Sequence, residues 1–180
     1  AFYAAAVACV QSDIKRVLAF STISQIAFMM VALGVCLPWH GAESAEVNGE
    51  LSIGYMAAMF HLFTHAMFKA CLFLCAGCLI HAVHSNEMSA MGGMRKYMPI
   101  THITFLISCL AISGIPPFSG FFSKDEILDA AFVYSPVMGW IMTIIAAMTA
   151  FYMFRLYYGI FWGTENKEHH AEIHPHEAPW

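Results

Sequence analysis

Charge is what this sequence has least of. Of its 180 residues only 8 are Lys or Arg and 12 are Asp or Glu, or 11% charged, where soluble domains carry roughly 25%. The formal net charge is −4, and the few basic residues are scattered, which leaves no cationic face for nucleic acid. There is no Gly-rich phosphate loop placed after a strand, so nucleotide binding by such a loop is excluded. No basic n-region or cleavage motif is present in these 180 residues. The six cysteines lie in or beside apolar runs and read as thiols rather than a disulfide framework. What fills the sequence instead is apolar, at 59%, in runs of twenty residues or more. Such runs exceed what one water-soluble core hides and match the ~20 residues a membrane-crossing helix needs.

The fold class read from this is all-α, a polytopic transmembrane helix bundle. The opening AFYAAAVACV reads as a partial helix over residues 1–10, the last turns of one already under way in a longer chain. After the polar corner Gln11 to Arg16, a span is expected over about 17–37, ended by Pro38. Residues 38–50 form a loop with three acids and no Lys or Arg. A second span covers about 51–80, long enough to cross with tilt. A third stretch, 99–133, contains Gly114-Ile115-Pro116-Pro117, which no straight helix accommodates. At thirty-five residues it is too short for two spans and is read as one discontinuous helix. A last span is expected over 137–161, closing a bundle of 1–161, and residues 162–180 make a polar His/Glu-rich tail or loop. With this topology Lys15, Arg16, Arg95, Lys96, Arg155 and Lys167 all fall on one side, expected to be cytoplasmic. Splitting the third stretch into two spans would move Lys167 to the other side.

Two basic residues are left inside apolar runs, Lys69 and Lys124. Lys69 is more than ten residues from either end of its span, and a side chain ~6 Å long cannot carry its ammonium to an interface from there. Buried membrane lysines face a bundle interior or a hydrated cavity, where they serve ion or proton pathways. The blander reading is a paired lysine that fixes packing. His61, His65 and Lys69 recur at i, i+4, i+8, which turns only about 80° and makes one titratable stripe. Histidine exchanges protons near neutral pH, so the stripe can pass protons through intervening water. Zn binding by the His pair lacks a third ligand, and haem ligation would need a facing histidine, for which interfacial His102 is poorly placed. The proline break near the middle of its segment, followed by Lys124, Asp125 and Glu126, is a device of ion-translocating proteins. A simple proline kink with a charged end is the alternative. Ser21, Thr22, Ser24 and Gln25 offer groups that order water or tie helices together. Cys71, Cys75 and Cys78 have a cluster-like spacing, but they continue an apolar helix, where small residues serve close packing. The tail's His169, His170, His174 and His176 read as a polar loop.

Three strings carry a further signal: DIKRVLAFSTISQ (13–25), HLFTHAMFKACLFLCAGCLIHA (61–82) and GIPPFSGFFSKDEIL (114–128). Together, in this order, they closely resemble the antiporter-like proton-pumping subunits of respiratory complex I, NADH:quinone oxidoreductase. FFSKDEIL looks most like the distal, L-type subunit. The resemblance implies a piece of a longer protein with two inverted five-helix repeats, this piece supplying most of the second. It implies that Lys124 is the terminal lysine of a half-channel on the broken helix, that His61, His65 and Lys69 are its central groups, and that Asp125 matches a family acid. It further implies proton translocation driven by redox chemistry elsewhere, no cofactor or metal in this chain, and as partners the bilayer, protons and the other membrane subunits, above all the adjacent antiporter-like one. The expected location is the cell's inner membrane. The related large subunit of a multisubunit Na+/H+ antiporter is the nearest rival, and a haem-binding membrane anchor a remote one.

Overall fold

A computed structural model describes residues 1–35, 47–165 and 175–177, and among them there is no β-strand. Six α-helices follow one another: α1 (Phe2–Val10), α2 (Ile14–Val35), α3 (Val47–Val83), α4 (Pro99–Ser113), α5 (Ser119–Tyr134) and α6 (Pro136–Phe161). Two single 3-10 turns, Met88–Ala90 and Met94–Lys96, lie between α3 and α4. Within these, Ile14–Val35, Gly54–Val83 and Pro136–Phe161 are each long and apolar enough to cross a membrane. The all-α polytopic class is therefore borne out. Helix α2 begins three residues before the expected Val17, because Asp13 caps it: its Oδ1 accepts from the Lys15 and Arg16 amides at 2.8 and 3.1 Å. Of the acidic loop expected over 38–50, residues 38–46 lie outside the described residues, while 47–50 are not loop: they form the first turn of α3, which begins at Val47.

Helices α4 and α5 divide the third stretch. α4 ends where Gly114 takes a left-handed φ of +75°, and the amides of Gly114 and Ile115 return to the carbonyls of Ala111 and Leu110, both at 3.2 Å. This is the Schellman pattern, which a residue with a Cβ adopts only under strain. Pro116 and Pro117 then carry no amide to continue the ladder, and the helix restarts at Ser119. The two halves press together where Gly120 meets the Ala111 carbonyl, with no room for a Cβ.

Of the six basic residues expected on one side, Lys15, Arg16, Arg95, Lys96 and Arg155 collect at one end of the bundle, and Lys167 lies outside the described residues. Ile14 N donates to Asn86 O and Met88 N to Ser12 O, both at 3.0 Å, tying the corner before α2 to the segment after α3. Arg155 Nη1 donates to Gln11 O at 2.7 Å. The Arg95 guanidinium lies 3.6 Å over the Trp162 ring, and Lys96 pairs with Glu165 at 3.2 Å. The expected polar tail is held at two points here. Tyr97 OH donates to Glu165 Oε1 at 2.6 Å, while Glu177 accepts from the Ile100 and Thr101 amides and from Thr101 Oγ1, a carboxylate at the N-terminus of α4. His169, His170 and His174 lie outside the described residues, and His176 is exposed.

Two outcomes follow from this packing. Gly120→Ala drives a methyl into the Ala111 carbonyl and is expected to cost on the order of 1–3 kcal/mol, whereas Gly77→Ala on α3 meets nothing. Thermal unfolding of the membrane-embedded protein should separate the two variants clearly, and equal midpoints would refute the close approach of α4 and α5. The Glu165 hydrogen bond, then partial desolvation and the carboxylate charge, hold the Tyr97 phenol above its ordinary range. A raised folded value stabilises the neutral phenol, so the clasp is intact below the unfolded value near ~10 and is lost as pH rises through the shifted one. An alkaline change in Trp162 fluorescence should appear there and vanish in Tyr97→Phe.

Candidate functional site

Four helices send polar side chains into a common part of the bundle interior. From α2 come Ser21 and Gln25, one turn apart; from α3 His61, Thr64, His65 and Lys69; from α5 Ser123 and Lys124; from α6 Thr149 and Tyr152. All are buried, and Lys69 and Lys124 are only 5% and 4% exposed. The i, i+4, i+8 stripe of α3 thus points inward as one face, because 3.6 residues per turn return each member to nearly the same bearing.

The two lysines are held in different ways. Lys69 Nζ donates to Ser21 Oγ at 2.8 Å, and Tyr152 OH donates to the same oxygen at 2.9 Å. Ser21 therefore joins three helices through one hydroxyl. Lys124 Nζ donates to the Ile112 carbonyl at 2.5 Å, one of the last-turn carbonyls of α4 that has no intrahelical partner. The helix break creates the acceptor, and the lysine of the second half takes it. A cation here also complements the negative end of the α4 dipole.

In the same interior lies a hydrogen-bonded chain centred on His61. Its Nδ1 is 2.8 Å from Ser123 Oγ and its Nε2 3.1 Å from Gln25 Oε1, and Gln25 Nε2 donates to Thr149 Oγ1 at 3.1 Å. Thr64 Oγ1 donates to the His61 carbonyl at 3.2 Å and lies 3.3 Å from Ser123 Oγ. The His65 ring, 6.1 Å from that of His61 between centroids, meets Phe68 edge-on at 5.5 Å. Its Nε2 is buried with no hydrogen-bond partner among the described residues.

Four of the five expected site residues, His61, His65, Lys69 and Lys124, are thus gathered in one interior. Asp125 is not among them. A helix turns 100° per residue, so the step that buries Lys124 carries Asp125, with Glu126, onto the exposed face of α5. Reading the sequence alone missed Thr64, Ser123, Thr149 and Tyr152. Only their one-turn spacing to other inward residues marks them, and hydroxyls are common in membrane helices. Ser24, grouped with Ser21 and Gln25, instead reaches the Ala1 carbonyl at 3.2 Å, and Thr22 bonds its own helix at Leu18 O. Cys71, Cys75 and Cys78 all sit along α3.

A family described as NADH:quinone oxidoreductase/Mrp antiporter, transmembrane, matches residues 1–150. The chain belongs to this antiporter family. It is 45% identical over 206 residues to an NAD(P)H-quinone oxidoreductase chain 5 of Picosynechococcus sp., covering 99% of this chain and 28% of that relative. It is 48% identical over 172 residues to the chain 5 of Synechocystis sp., covering 91% and 23%. With the chloroplastic subunit 5 of Chaetosphaeridium globosum the identity is 43% over 191 residues, covering 99% and 26%. The resemblance carried by the three motifs is borne out. The chain spans about a quarter of the length of the curated relatives it matches.

The shared hydroxyl of Ser21 makes the first test of the antiporter-family interior structural. Ser21→Ala strips a buried ammonium and a buried phenol of one acceptor and is expected to cost on the order of 1–3 kcal/mol. Thr22→Ala, which removes only an intrahelical bond on a half-buried residue, is expected to cost well under 1 kcal/mol. Melting of the two variants in membranes checks this, and equal stabilities would mean that Ser21 does not hold the interior together.

Proposed function

We propose that this chain is part of a proton-translocating membrane subunit of an NADH- or NAD(P)H:quinone oxidoreductase. The observation that supports it is the company of the two lysines. Each is buried inside the bundle, Lys69 on a helix long and apolar enough to cross a membrane, and each is held by a neutral acceptor, Ser21 Oγ for Lys69 and the Ile112 carbonyl for Lys124. The ion pair between described residues, Lys96 with Glu165, is at the end of the bundle and away from them. A lysine bound to a carboxylate must strand an anion when it gives up its proton; one bound to a hydroxyl or a carbonyl does not. Lys69 and Lys124 are therefore suited to take up and release protons, with His65 and His61 on the same stripe between them. Exchange with each side runs through water.

The redox reaction itself belongs to other subunits, and the chain is enzymatic as a component of that assembly. No cofactor or metal is assigned to it. Its partners are the lipid bilayer, protons and the other membrane subunits, in particular a neighbouring antiporter-like one, and no nucleic acid. The bundle lies in the inner membrane of the cell with Lys15, Arg16, Arg95 and Lys96 on the cytoplasmic side, in line with the preference of basic loops for that face. A second reading is favoured by the family description, which also includes Mrp antiporters: a cation/proton antiporter subunit with the same lysines. The relatives named above are quinone oxidoreductase chains, which favours the first.

Lys69→Ala in the full-length subunit is expected to lower proton pumping with the complex still assembled, because alanine carries no proton. Cys75→Ala, on the same helix, should leave pumping nearly unchanged. Proton uptake into vesicles is measured alongside quinone-linked oxidation of NADH or NADPH, with assembly followed on native gels. Pumping by Lys69→Ala at the wild-type proton-to-electron ratio would make Lys69 a packing residue and end this reading; Na+ uptake in its place would select the antiporter.

A further inference from the structure

The two histidines of α3 look equivalent in the sequence, and their surroundings are not. Around His61 every hydrogen can be assigned by following the chain from α6. Thr149 Oγ1 donates to its own helix at Ile145 O, 3.0 Å away, so that towards Gln25 its oxygen is the acceptor. Gln25 must then turn its Nε2 to Thr149, which leaves its Oε1 facing His61. That oxygen can only accept, and His61 Nε2 therefore carries the hydrogen. His61 Nδ1, left as the acceptor in the neutral ring, takes the hydrogen of Ser123 Oγ at 2.8 Å; the other acceptors for that hydroxyl, Thr64 Oγ1 and the Gly120 carbonyl, are at 3.3 and 3.4 Å, near the far limit of a hydrogen bond. Both ring nitrogens of His61 are thereby committed to a neutral imidazole. Its two partners sit on α2 and α5, and the partner on α5 immediately precedes Lys124.

His65 has the opposite character. Its Nε2 is buried with no hydrogen-bond partner among the described residues, and it lies one turn from Lys69 on the same face. We propose that His65 is the histidine that carries the proton between Lys69 and Lys124, while His61, held by Gln25 and Ser123, is a positioning residue that fixes the second half-helix and so the place of Lys124. This rests on the reading of the site as a proton path and divides it between two residues. To bind a proton His61 would have to reverse its bond with Ser123, turning that hydroxyl onto the longer contacts to Thr64 Oγ1 or the Gly120 carbonyl, whereas His65 can accept one at Nε2 with no such rearrangement.

A primary amide distinguishes the two roles, since it donates and accepts hydrogen bonds but does not carry a proton at neutral pH. In the full-length subunit within its complex, His61→Leu is expected to lower the rate of proton pumping by about tenfold through loss of two buried hydrogen bonds. His61→Asn and His61→Gln, which can keep the Ser123 and the Gln25 contact respectively, are expected to restore most of it. His65→Asn and His65→Gln should restore nothing relative to His65→Leu. Each is read as the rate of proton uptake, with the rate of NADH or NADPH oxidation followed beside it, in complexes shown to be assembled; where a Leu variant does not assemble, the amide variants are compared with wild type directly. Amides that fail at both positions, or that pump at position 65, would overturn the division of roles. Lys69→Ala, run in the same preparations, separates the failures. If it pumps normally, the proton path itself is wrong and this inference falls with it. If it is inactive while amides behave alike at 61 and 65, only the division is wrong.

Discussion

The interior of this bundle depends on a broken helix whose open end is closed by a side chain from its own continuation. Leu110, Ala111 and Ile112 form the last turn of α4. Gly114 and Ile115 return their amides to Ala111 and Leu110, and Lys124 reaches back from α5 to Ile112. A backbone carbonyl in a lipid environment cannot be left alone, because no water is there to satisfy it. The lysine satisfies the carbonyl and the carbonyl satisfies the lysine. Gly120 makes the reach short enough by letting the first turn of α5 rest on the Ala111 carbonyl. Removing either Gly114 or Gly120 would therefore disturb a charged group several residues away.

The rest of the interior follows from where that lysine sits. Ser123, next to it, is drawn to the centre and meets His61. His61 reaches Gln25, Gln25 reaches Thr149, and one turn along α2 and α6 the pair Ser21 and Tyr152 meets Lys69. Five contacts between four helices thus form two polar layers about a helical turn apart. Each net hydrogen bond contributes only about 0.5–1.5 kcal/mol, but an unpaired member of such a network costs more than its bond was worth. The network fixes the relative rotation of the helices, since an outward turn of any one leaves a buried polar atom without a partner. Apolar packing alone would tolerate such a turn, because lipid tails are as hydrocarbon-like as the leucines they would meet.

Much of this was legible in the sequence, for reasons that differ from residue to residue. The spans were readable because length and hydropathy decide membrane crossing, and the break because two prolines and a glycine leave a helix no way through. The His61, His65, Lys69 stripe was readable because ionisable groups are rare in such helices and their spacing is helical. Ser123, Thr149 and Tyr152 were not, since a hydroxyl in a membrane helix bonds its own backbone as readily as a neighbour, as Thr22 does. Asp125 was grouped with Lys124 by adjacency and by resemblance, and adjacency is what separates them on a helix. The tail read as loose because its composition is polar. Its Glu177 is instead held by α4, whose first-turn amides have no partner within the helix.

The separation of Lys124 from Asp125 also explains how a lysine so deep can have a neutral partner in a segment that carries three carboxylates. Asp125, Glu126 and Asp129 all lie on the exposed side of α5, while Ser123, Lys124, Ile127 and Ala131 form the buried one. Had the break fallen one residue later, the helix would have turned by 100° and brought a carboxylate towards the Ile112 carbonyl, an acceptor facing an acceptor. The register set by Pro117, Phe118 and Ser119 thus chooses which charge enters the bundle. It admits the one that can donate to an open helix end and leaves the ones that can only accept outside.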